Sequence, residues 1–83
     1  MYQKLLSDIL AYCRENIEDF DFLESRALRK IDRDRCPLSY ASPELYDEMQ
    51  NAIDDYLMDH EDELDPSVLE DMDLDPETVF WAE

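Results

Sequence analysis

Eighty-three residues with 45% hydrophobic content suffice for one small core, and the chain reads as a single acidic helical domain over residues 1–83. Its formal net charge of −17, from 24 Asp and Glu against 7 Lys and Arg, repels nucleic acid and anionic membrane and attracts basic protein surfaces, so neither nucleic acid nor membrane is an expected direct partner. The absence of glycine removes phosphate-cradling loops of the P-loop and dinucleotide types. With two cysteines, no secretory pattern after Met1 and no apolar run longer than Ile9 to Cys13, a cytoplasmic chain with reduced thiols is expected.

In chain order, Tyr2, Leu6, Ile9, Leu10, Cys13, Ile17 and Phe20 fall on one face at about 100° per residue, while Lys4, Asp8, Glu15 and Glu18 turn away. This spacing predicts a helix over 2–18, with Cys13 as a buried structural thiol. Asp21 and Glu24 have the spacing of a capping box and predict a second helix over 22–33. Its apolar side is Leu23, Ala27, Leu28 and Ile31; its opposite side is Arg26, Arg29, Lys30 and Arg33. Residues 36–41 read as a connector. Ser42-Pro43-Glu44 supplies a hydroxyl cap, a proline for the first helical position and an acid for the first turn. The third helix should then run to Leu64, where Asp65-Pro66 stops it. Leu45, Tyr46, Met49, Ala52, Ile53, Tyr56, Leu57, His60 and Leu64 form its apolar face.

Asp65-Pro66 and Asp75-Pro76 each offer a cap and a first helical residue, so each should open one or two turns. Val68, Leu69, Met72, Leu74, Val79, Phe80 and Trp81 are then available to close the core. No stretch sustains period-two alternation, so no strand is predicted. The fold class is all-α: a small three-helix bundle with a longest third helix and one or two short C-terminal helical turns.

The charge is unevenly placed. Residues 1–35 hold eight acids and all seven basic residues, one net negative charge, whereas residues 36–83 hold sixteen acids and no Lys or Arg. On the third helix, Glu44, Glu48, Asp55, Asp59 and Asp62 project within an arc of about 60° opposite the apolar face, and Asp47, Asp54 and Glu61 form a flanking row. Neighbours four residues apart are about 6 Å apart along the axis, and phosphates of one DNA strand recur about every 3.4 Å, which gives about one charge for every second or third phosphate. Like charges at this spacing cost a helix about 0.2–0.5 kcal/mol each. An ordinary solubility surface intersperses both signs, so these rails are the candidate partner-binding residues.

In charge, size and helical pattern the chain resembles the nucleic-acid-mimic inhibitors of phages and mobile elements, such as anti-restriction and anti-CRISPR proteins. The resemblance rests on the carboxylate rails. It implies that the carboxylates occupy the nucleic-acid groove of a basic enzyme and block it. The expected function is therefore a non-enzymatic protein-binding module that inhibits or regulates a basic, nucleic-acid-handling protein. The alternative is a structural or adaptor protein, a homodimer or longer assembly, that self-associates through Arg26, Arg29 and Arg33 against the acidic helix. The basic stripe is expected to pair with carboxylates, within one copy or between copies.

Other chemistries find little support. Asp71, Asp73 and Asp75 match the start of a calcium loop, but its sixth position is Pro76 instead of Gly and its twelfth is Ala82 instead of Glu. His60 lacks an HExxH context and reads as a core-edge residue. No Ser or Cys has a histidine nearby in sequence, and solvated carboxylates lack the burial that catalysis uses, so no enzymatic activity, metal or cofactor is expected. Phe80 and Trp81 read as core residues, with anchoring of a partner as their other use.

Overall fold

The computed structural model describes the backbone of Tyr2 and residues 3–32, 34–67 and 74–81 in full, and it is all-helical, with no strand among the described residues. The helices fully bounded among the described residues are, in order, α1 (Tyr2–Asn16), α2 (Phe20–Lys30), α3 (Leu38–Ala41), α4 (Pro43–Asp59) and α5 (Pro76–Phe80). α1 packs against α4, α2 and α5, while α2, α3 and α5 also lie against α4. The long, apolar-striped α1 and α4 are the central pair. The molecule measures 37 × 27 × 18 Å.

One core joins these helices. Ile9, Leu10 and Cys13 of α1, Ala27 of α2, Leu38 of α3, Leu45, Met49 and Ile53 of α4, and Val79 of α5 are essentially inaccessible. Burying each large apolar side chain contributes about 1.5–3 kcal/mol. Those of α1, α2 and α4 are residues that the 3.6-residue period puts on one face, and Cys13 is the buried thiol that its place in the stripe predicts, whereas Leu38 comes from the expected connector. Phe80 is buried and Trp81 packs edge-on against it, ring centroids 5.1 Å apart, so both serve the core.

Helix ends differ from the sequence expectation. α1 stops at Asn16, and α2 begins at Phe20 with Asp21 inside its first turn. Burying both Ile17 and Phe20 requires a sharp reversal between them. Asp19 makes it in the left-handed region at φ 61°, a conformation that Asp tolerates better than most residues. Its carbonyl accepts from the Leu23 N–H at 3.0 Å, but its side chain makes no cap bond. α2 ends at Lys30, where Ile31 is extended. Leu28, expected on the apolar side of α2, is 48% exposed because it lies off the arc of Leu23 and Ala27.

Part of the expected connector is helical, as α3. Pro43 is the first residue of α4 as expected, but the buried Ser42 hydroxyl makes no cap bond. α4 ends at Asp59, five residues short of Leu64. Its last turn holds carboxylates and no basic residue, the unfavourable sign for a helix C-terminus. The carbonyl of Tyr56 instead accepts from both the backbone N–H and the ring Nδ1 of His60, at 3.0 and 2.9 Å. At the second of the two Asp-Pro starts, the Asp75 carboxylate caps α5 by accepting the Thr78 N–H at 2.8 Å. At the first, Asp65 accepts the N–H and hydroxyl of Ser67, and these bonds hold its carboxyl below its ordinary pKa. The Tyr2 side chain, Arg33, Val68, Leu69, Asp71, Met72, Asp73 and Ala82 lie outside the described residues.

Candidate functional site

α4 presents its apolar stripe inward, so its remaining arc is directed to solvent by the packing itself. Glu44, Asp47, Glu48, Asp54, Asp55 and Asp59 are all exposed on that arc. None forms an ion pair among the described residues; Asp54 alone accepts a side-chain hydrogen bond, from Gln50 at 3.2 Å. From Glu44 to Asp59 the carboxylates extend about 22 Å along the 17-residue α4. The expected rails reach further, and here the structure corrects them. Glu61 and Asp62 are exposed, but they lie in the turn beyond Asp59 and do not continue either helical row. The early helix end at His60 is the cause.

One rail borders α1. Between these helices runs a groove of about 400 Å³ with Tyr12, Ile17 and Ala52 as its apolar wall and Glu18, Glu48 and Asp55 around it. Asn16 and Asn51 add amide groups to its lining. Tyr12 meets Tyr56 edge-on across the seam at 5.5 Å, and Tyr56 stacks on His60 at 4.0 Å. Burial, then the Asp59 and Asp55 carboxylates, push the Tyr12 phenol above its ordinary pKa. Burial, Asp8 and Glu63 do the same for Tyr56. Both phenols therefore keep their protons to higher pH than a free tyrosine. Among the described residues no three His, Cys, Asp or Glu side chains group closely enough to hold a metal ion.

Sequence reasoning does not link Glu18 or Tyr12 to the rail, because the relative placement of two helices is absent from either helix's own periodicity. It also passes over Met58, which is 73% exposed amid the carboxylates of α4. Helical spacing alone puts that residue off the apolar face.

The basic side chains divide. Arg14 pairs with Glu24 at 3.3 Å and its guanidinium lies 6.0 Å from the Phe20 ring centre, bracing α1 on α2. Arg35 pairs with Asp32 at 3.7 Å. Arg26, Arg29 and Lys30 are exposed on α2 and pair with no carboxylate among the described residues. Among the described residues no helix is long and apolar enough to cross a membrane. No protein-family model, curated protein or solved structure matches the chain.

Proposed function

We propose that the protein is a non-enzymatic binding module that inhibits or regulates a basic, nucleic-acid-handling protein by occupying its phosphate sites. The observation that supports this reading is the exposed face of α4, where Glu44, Asp47, Glu48, Asp54, Asp55 and Asp59 stand without a cationic partner among the described residues. Apart from Glu44 in the first turn and the Asp54–Gln50 bond, such a row works against the helix, since like charges one turn apart oppose it by about 0.2–0.5 kcal/mol per pair. A basic groove supplies the missing counter-charge. Association steered by this field is fast and weakens as salt rises. The mode of action is that of the anti-restriction and anti-CRISPR mimics: protein carboxylates stand where phosphates otherwise bind.

The test uses the full chain and a basic nucleic-acid-binding protein recovered on it from host extract. The chain should displace that protein's DNA or RNA in a competition assay, less effectively as salt rises. The triple variant E48K/D55K/D59K should fold normally and lose the displacement. Displacement unchanged in the triple variant overturns the proposal, as does recovery of no basic protein.

A further inference from the structure

We infer that copies of the protein associate head to tail, the outer face of α2 on one copy seating in the acidic groove between α1 and α4 of the next. On α2, Phe22, Arg26 and Arg29 recur at the i, i+4 and i+7 positions of one helix side. Phe22 is 66% exposed, and both arginines are exposed and unpaired among the described residues. In a chain with 24 carboxylates, an exposed aromatic ring followed one and two turns on by arginines that are unpaired among the described residues is the composition of an interface anchor, where Phe and Arg are enriched.

The groove offers the converse arrangement. Its apolar wall of Tyr12, Ile17 and Ala52 is edged by Glu18, Glu48 and Asp55. Its 400 Å³ lies toward the small end of the range of about 300–1,000 Å³ that holds compact ligands, enough for side chains rather than a folded segment. An exposed ring with two cations on its C-terminal side thus faces an apolar floor edged by anions.

Two other occupants of the α2 face fit less well. Nucleic acid is opposed by the net charge of −17, and among the described residues the chain's own carboxylates leave the face unpaired. A second copy carries the same net charge, but at physiological salt the screening length is about 8 Å, well below the molecule's smallest dimension of 18 Å. Most like charges on the two copies are then screened from each other, while pairs in contact are not. The two surfaces differ, so the contact is heterologous and each association leaves one free face and one free groove. It covers Glu48 and Asp55, so a basic partner of α4 competes with it.

Sedimentation velocity at roughly 0.15 M salt, where the screening length is about 8 Å, should show the full-length protein gaining mass with concentration. The variants R26E/R29E and E48R/D55R, checked by circular dichroism for native helix content, should each associate at least about tenfold more weakly. F22A should weaken association without a change of charge. An equal mixture of R26E/R29E and E48R/D55R should associate again, because each supplies the surface the other lacks. A wild-type chain that stays monomeric at every salt and protein concentration overturns the inference, as do variants that associate like wild type or a mixture that stays monomeric. These readouts use the protein alone, so they are independent of whether a nucleic-acid-handling partner exists.

Discussion

The imidazole of His60 lies on the ring of Tyr56, with centroids 4.0 Å apart and planes 19° apart, while its Nδ1 sits 2.9 Å from the Tyr56 carbonyl oxygen. A carbonyl can only accept, so Nδ1 carries the hydrogen. One residue thereby satisfies a terminal carbonyl of α4 and covers an aromatic face. His60→Ala should lower the unfolding free energy by about 1 kcal/mol, from lost capping and stacking. Urea denaturation at neutral pH measures it, and an unchanged midpoint would show that the contact is incidental.

The reversal at Asp19 gives a second outcome. A non-glycine residue in the left-handed region carries a conformational cost of about 1 kcal/mol that glycine avoids. Since the Asp19 side chain makes no cap bond, Asp19→Gly loses little and should raise stability by about 0.5–1 kcal/mol. Asp19→Val should lower it by at least about 1 kcal/mol, because a β-branched residue is poorly accommodated there. Thermal midpoints of the two variants should therefore move in opposite directions.

These two residues also show where the sequence is legible and where it is not. Ile9, Leu10, Cys13, Leu45, Met49 and Ile53 announce their burial through helical spacing, because a stripe repeated over several turns outweighs any single residue. The ends of α1, α2 and α4 carry no such repetition. They are decided by one left-handed aspartate and one histidine, in a chain without glycine to mark its turns. The candidate surface divides the same way. The carboxylates within α4 follow from its apolar face, whereas the placement of Glu61 and Asp62 fails with the helix end. The groove with Tyr12 and Glu18 needs the packing of α1 on α4, which neither helix encodes alone.

The two serine and aspartate caps, similar in sequence, should respond differently to truncation. Asp75 accepts the Thr78 N–H at 2.8 Å at the start of α5, so Asp75→Ala should lower stability by about 1 kcal/mol and expose Phe80 and Trp81. Ser42 holds the corresponding place before α4 with no side-chain bond, and Ser42→Ala should change stability by less than about 0.5 kcal/mol. Tryptophan fluorescence should shift to the red only in the first variant. Equal losses in both would contradict the distinction.

Burial pushes the Cys13 thiol from 9.0 up to about 11, so the folded chain keeps a proton that the unfolded chain releases. The sign follows from proton counting: where the native state binds more protons, stability falls as pH rises. The contribution is therefore intact below pH 9.0 and is lost as pH climbs toward about 11. Its full size is on the order of 2–3 kcal/mol. Tyr12 and Tyr56, both raised from 10.0, steepen the fall at the alkaline end. Urea midpoints followed from neutral to alkaline pH should drop in the wild type. Cys13→Ala should start lower, by about 1–2 kcal/mol for the vacated core volume, and fall less steeply. Under native conditions a thiol reagent should reach the half-buried Cys36 first and modify Cys13 only on unfolding. An alkaline slope identical in wild type and Cys13→Ala would assign the pH dependence to other groups.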